Sequence, residues 1–196
     1  MQRELVIALR VTIATLVLTG ILYPLAMTGV AQLIAPAEAN GSLVKDENGN
    51  VVGSALIGQP FTKNGYVWPR PSAAGTNGWD ATSSSGSNLG VTSQKLHDRA
   101  AADADRLRTA NPDAEGPVPA ELVAASGSGL DPHLSPEAAL WQAPRVANAR
   151  GVEVARVRAL IESQLEGRAL GFLGEPRVNV LLANLALDRQ FGRAPE

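Results

Sequence analysis

The chain has 196 residues, with 17 Lys and Arg against 19 Asp and Glu, a formal net charge of −2. That balance, without any Lys/Arg run, excludes the electrostatic footprint of a nucleic-acid binder, and aromatics at 4% leave little for base stacking. Cysteine is absent, which excludes disulfides, thiolate chemistry and cysteine metal sites, and the two histidines, His97 and His133, argue against a histidine-rich metal centre.

Between Arg10 and Glu38 lie 27 consecutive uncharged residues, mostly aliphatic. About 20 helical residues cross a ~30 Å hydrocarbon core, so residues 11–34 are predicted to form a transmembrane helix. Gly20, Pro24 and Gly29 interrupt it, and bilayer helices tolerate such residues. Thr19, Gly20, Thr28 and Gly29 mark either a face for close packing on another helix or plain filler against lipid. A cleaved signal peptide competes with this reading, because Ala35-Pro36-Ala37 and Ala37-Glu38-Ala39 resemble cleavage sites. Its apolar region typically runs only about 7–15 residues, which favours a retained anchor. Arg3 and Arg10 precede the span, whereas Glu38, Asp46 and Glu47 follow it with Lys45 alone. This bias places residues 1–10 in the cytoplasm and residues 38–196 outside.

The part after the span is expected to be one α+β domain, with a hairpin and an irregular segment first and mostly helix after residue 91. Two β-prone runs flank Asn48-Gly49, a dipeptide suited to a two-residue hairpin turn. Residues 58–90 are rich in Gly, Ser, Pro and Asn yet carry Tyr66, Trp68 and Trp79. The aromatics argue for an ordered, functional loop. Arg70 lies between Pro69 and Pro71, on a stiff backbone. It pairs either with a carboxylate inside the domain or with an acidic partner, and Tyr66, Trp68 and Arg70 are candidate interface anchors. A helix follows over 93–108 and stops at Asn111-Pro112. Ser135 is set to cap another, with Pro136 and Glu137 in its first turn. Residues 152–166 place Val154, Val157, Ile161 and Leu165 on one helical stripe closed by Gly167. Leu181, Leu182, Leu185 and Leu187 lie on a last apolar helix ended by Gly192 and Pro195.

The stretch SGSGLDPHLSP, at 126–136, raises the question of a phosphate site. Ser126, Gly127, Ser128, Gly129 and Asp131, with Gln142 beyond them, are the candidate nucleotide contacts. A Walker loop requires Lys and Ser or Thr after its last glycine, whereas Gly129 is followed by Leu130 and Asp131. The alternative is a turn: Gly127 and Gly129 supply positive φ, Asp131 an Asx-turn and Pro132 a stiff exit. Residues 85–90, SGSNLG, echo this loop. A serine hydrolase using residues 83–87 needs a histidine and an acid to converge there. An exported binding module released by cleavage is a third reading.

Six blocks in order complete the picture: GSALIGQPF at 53–61, YVWPRPSA at 66–73, SGSNLG at 85–90, ASGSGLDPHLSPEAA at 125–139, QAPRVANARG at 142–151 and GEPRVNVLLANLALD at 174–188. With the single span before them, they resemble the C-subunit family of the bacterial Kdp potassium-transporting ATPases over nearly the whole chain. Departures are Ser85-Gly86, where the family often has two glycines, and Val67, where it often has Phe. The resemblance implies a non-catalytic accessory subunit in the bacterial inner membrane, working with a channel-like A subunit, a P-type ATPase B subunit and a small F subunit. It implies potassium as the transported ion. It also implies no cofactor on this chain alone, and a chaperone-like effect that raises the ATP affinity of the B subunit. The basic residues put only MQRELVIALR on the ATP side, so the resemblance is read here as an assembly role with indirect coupling to ATP.

Overall fold

A computed structural model describes residues 1–195. The chain divides into two units, residues 1–43 and residues 44–196.

In the first unit, helix starts earlier than the uncharged run. α1 spans Gln2–Val17, a π-helical turn covers Leu18–Leu22, and α2 spans Tyr23–Ile34. Together they make 33 residues of mean hydropathy 2.3, long and apolar enough to cross a membrane, with none of the window buried. The π turn has a local cause. Pro24 has no N–H, and its ring would meet the carbonyl four residues back. Widening the turn relieves that clash, and the Tyr23 N–H bonds to the Leu18 carbonyl, five residues earlier. The short α3, Pro36–Ala39, follows. Gln32 and Asn40 exchange amide hydrogen bonds of 3.1 and 3.3 Å at this end.

At the boundary, a hairpin is made of β1, Leu43–Lys45, whose first residue ends the first unit, and β2, Val51–Ser54. Its turn is larger than the expected two residues. Asp46 Oδ1 accepts the N–H groups of both Asn48 and Asn50 at 2.9 Å, and Gly49 N–H bonds to the Asp46 carbonyl. The reversal therefore falls on Glu47 and Asn48, and only Gly49 takes positive φ (+83°).

Residues 58–90 contain no helix or strand, as expected. α4 spans Gln94–Ala110 after Ser93 and ends at Asn111. A 3₁₀ turn, Ala120–Leu122, precedes β3, His133–Leu134. Ser135 caps α5, Pro136–Trp141, its hydroxyl accepting the Ala138 N–H. Pro144 cannot extend the hydrogen-bond ladder, so α6, Ala143–Arg150, starts anew and ends on Gly151 at φ +65°. α7 covers only Val154–Ser163, shorter than the predicted stripe. Val157 and Ile161 are buried, Val154 is exposed, and Leu165 lies beyond the helix in β4, Leu165–Glu166. β5, Arg177–Asn179, and α8, Val180–Phe191, complete the fold.

The three short strands pair antiparallel in the order β3-β5-β4, with Leu134 opposite Val178 and Val178 opposite Leu165. This sheet is an addition to the predicted helical half. Val178, Leu134, Val146, Val157, Ile161 and Leu187 are fully or almost fully buried and centre the core. Residues 141–147 are all buried.

Candidate functional site

The segment YVWPRP crosses this core with no neighbouring strand. A buried backbone N–H or C=O without a partner costs about 1–3 kcal/mol, so its polar groups need other partners. Two side-chain amides supply them. Asn184 on α8 accepts the Val67 N–H at 2.8 Å and donates to the Val67 carbonyl at 2.9 Å. Gln142, between α5 and α6, does the same for Trp68, at 2.8 and 3.0 Å. Both amides are buried. Successive residues of an extended chain point their polar groups to opposite sides, so one amide grips from α8 and the other from the α5–α6 junction.

Cations complete the clamp. The Arg145 guanidinium lies 3.8 Å from the centre of the Trp68 ring and that of Arg106 5.1 Å from it. Arg145 donates to the Gln142 Oε1 and to the Asn64 carbonyl, both at 2.7 Å. Burial, and then the neighbouring Arg106 charge, push Arg145 down to about 9, still a cation at neutral pH. An aromatic face is a natural seat for such a cation. Arg150 forms a second centre. It pairs with Asp188 at 2.8 Å and lies 5.2 Å from the Tyr66 ring, and the Tyr66 hydroxyl donates to the other Asp188 oxygen at 2.9 Å. Burial and that bond raise the Tyr66 pKa.

Arg70 meets Asp131 at 3.2 Å, which joins the proline segment to the glycine turn. Asp131 also accepts the His133 N–H at 3.0 Å in the expected Asx-turn. In that turn Gly129 alone takes positive φ (+68°); Gly127 does not. Gly129 is buried where a Cβ would meet the Ser85 carbonyl oxygen at 2.6 Å and the Ala74 nitrogen at 2.7 Å. The two echoing loops therefore touch. The Ser84 hydroxyl donates to the Ser128 carbonyl at 3.0 Å, and the Ser72 hydroxyl to the Gly129 carbonyl at 2.6 Å. Ser126 is buried, and the Ser128 hydroxyl accepts the Leu130 N–H.

The structure thus holds the segment at three points: Tyr66 on Asp188 beside Arg150, Trp68 on Gln142 beside Arg145, and Arg70 on Asp131. An open cleft of about 340 Å³ lies against it, lined in part by Phe61, Trp68, Arg70, Trp79, Asp103 and Arg106. The histidines are not gathered at the serine loop. His97 Nε2 lies 3.0 Å from the Val91 carbonyl oxygen, and His133 Nδ1 lies 3.5 Å from Asp131. Among the described residues neither bonds to residues 83–87. On the N-terminal helix, the Thr19 hydroxyl returns to the Thr15 carbonyl at 2.7 Å, and a Cβ at Gly20 or Gly29 would meet open space. Sequence reasoning missed Asn184 and the clamping role of Gln142. The pairs they form span 117 and 74 residues, and no local signal marks them.

A long apolar N-terminal helix followed by one mixed helix-and-sheet domain defines a class: chains built like single-span membrane subunits. The family model described as K+-transporting ATPase, c chain, matches residues 5–189. A protein of Myxococcus xanthus called potassium-transporting ATPase KdpC subunit is 67% identical over 189 residues, 96% of this chain and 89% of its own. Proteins of the same name from Caulobacter sp. (strain K31) and Rhodospirillum rubrum are 57% and 55% identical, covering 89% and 97% of this chain and 88% and 98% of their own. The chain belongs to this family, the accessory c chains of potassium-transporting ATPases. The hydrolase and cleaved-module readings find no support in these relationships.

Proposed function

We propose that this chain is the non-catalytic accessory subunit of an ATP-driven potassium uptake complex, one that assembles and stabilises a channel-like A subunit and a P-type ATPase B subunit, together with a small F subunit. The apolar helix is its membrane anchor, the N-terminus is cytoplasmic, and residues 38–196 lie outside. The observation that carries the non-catalytic part is the internal use of the candidate nucleotide contacts. Asp131 is paired with Arg70, Gln142 grips Trp68, and the turn at Gly129 is filled by the backbone at Ser85 and Ala74. Any rise in the ATP affinity of the B subunit then reaches it through contacts between subunits, as a coupling free energy. Family membership supports the partners, and the basic residues before the span support the orientation.

The test uses the missing cysteines. Ser128 is exposed. Ser128→Cys and Gln2→Cys variants are expressed separately with the partner subunits and treated with an impermeant maleimide before and after spheroplast lysis. The expected result is labelling of residue 128 in intact spheroplasts and of residue 2 only after lysis. The reverse pattern overturns the orientation and reopens direct contact with nucleotide.

A further inference from the structure

Residues 167–177 form a tongue in which every residue is exposed. Its tip is apolar: Leu170 is 83% exposed, Phe172 68% and Leu173 51%. Soluble surfaces carry scattered apolar residues, but a cluster at a projecting tip marks an interaction site. The tip is also a defined shape. Ala169 and Leu173 exchange two backbone hydrogen bonds of 2.9 Å across it. Leu170 is held at φ +53°, a left-handed conformation that side-chain-bearing residues seldom adopt, followed by Gly171 at +82°. Strain of this kind gathers where a side chain is presented for function. Below the tip two ion pairs form rungs, Arg168 with Glu175 at 2.6 Å and Arg177 with Glu166 at 2.8 Å. The four stem charges cancel, and residues 169–174 carry none.

We propose that this tip is a docking knob that seats in an uncharged, apolar depression on a neighbouring protein subunit of the same transport complex. The inference rests on the reading of the chain as a complex subunit. Charge chooses the occupant. A bilayer surface recruits unpaired Lys and Arg beside the apolar anchors; here both arginines are paired and the tip carries no charge. An uncharged knob complements an uncharged socket. A fixed shape matters to a protein socket, and it is irrelevant to fluid lipid. Area shows that the tip alone holds no partner. Three side chains fall well short of the roughly 800 Å² per partner of a stable interface, so the knob is one anchor within a larger contact.

The test is made on the full complex in membranes. Phe172 is replaced by the photoreactive benzoylphenylalanine, with exposed Glu162 on α7 replaced likewise as the control. The expected result is an adduct with an identified partner subunit from position 172 and none from 162. A Leu170→Ser/Phe172→Ser double variant should lose about tenfold or more in co-elution with the partner subunits. The melting temperature of the purified full chain should move by no more than about 2 °C, as for other surface changes. An adduct with lipid, or with a second copy of this chain, overturns the proposal. So does an intact complex with no adduct, or unchanged co-elution of the double variant. The outcome is separable from the orientation test: an adduct with a partner subunit upholds the knob even if residue 128 labels only after lysis.

Discussion

Residues 66–68 and the tongue at 167–177 handle exposed backbone in opposite ways. The first stretch belongs to no strand or helix, yet Val67 is fully buried and Trp68 nearly so. The second has hairpin hydrogen bonds and two ion-pair rungs, yet none of its residues is buried. Regular secondary structure alone is therefore an incomplete guide to where this domain is held together. What matters is who satisfies the backbone. In the proline segment two side-chain amides stand in for a neighbouring strand. In the tongue the hairpin pairs its own backbone and leaves the apolar side chains of the tip exposed.

The largest expected effect tests the first half of that contrast. Gln142→Leu keeps much of the shape and removes both amide functions. The Trp68 N–H and C=O are then buried without partners, and Arg145 loses an acceptor. At about 1–3 kcal/mol for each unsatisfied group, the loss should be about 3–5 kcal/mol, a large share of a typical domain's stability. Urea unfolding of the full chain in detergent, followed by tryptophan fluorescence, measures it. Gln142→Glu keeps the acceptor and should cost about half as much. A loss below about 1 kcal/mol, together with a fall in the ATP affinity of the complex, would break the contrast and make Gln142 a nucleotide contact.

The same contrast explains what was legible in the sequence. The cap at Ser135 and the stops at Asn111-Pro112 and Gly192 are local signals, and the helices they bound are α5, α4 and α8. The hairpin was legible but not its turn, because the Asp46 carboxylate holds two N–H groups and moves the reversal back to Glu47 and Asn48. The three-stranded sheet was not legible. Its strands are two or three residues long, too short to show alternation, and one of the two partners of β5, β3, lies three helices earlier in the chain. Leu165 shows the cost of reading period alone: it continues the α7 stripe in sequence but belongs to that sheet. The candidate site was half legible. Trp68 and Arg70 were marked by their prolines, and Asp131 by its turn. The amides that fix Val67 and Trp68 act over long separations, where polar residues look like any others.

A smaller effect sharpens the second half. Leu170→Gly removes the left-handed strain, worth about 1–2 kcal/mol, and adds back roughly 0.5–1 kcal/mol of unfolded-chain entropy. The full chain should be stabilised by up to about 1 kcal/mol in the same urea experiment. Destabilisation of more than about 1 kcal/mol would mean that Leu170 supports the domain, and the tongue would then be a structural element like the proline segment.

The smallest effect lies where the two regions come nearest in chemistry, at His133. Its strand pairs with β5, whose Arg177 also anchors a tongue rung. Burial lowers the His133 pKa below its ordinary 6.5, and Arg177 adds to this, while Asp131 and Glu166 oppose it. The folded chain thus takes up the proton at lower pH than the unfolded chain. The unfolded state binds more protons across that window, so stability rises with pH through it. His133 contributes fully above about pH 6.5 and loses that contribution as the solution is acidified. Between pH 7 and pH 5 the parent chain should therefore lose more stability than a His133→Gln variant, and above pH 7 the two should run parallel. The opposite slope would show that Asp131 and Glu166 win and hold His133 as a cation. The β3–β5 edge would then be tied to the tongue by charge, and acidification would tighten rather than loosen the base from which the knob projects.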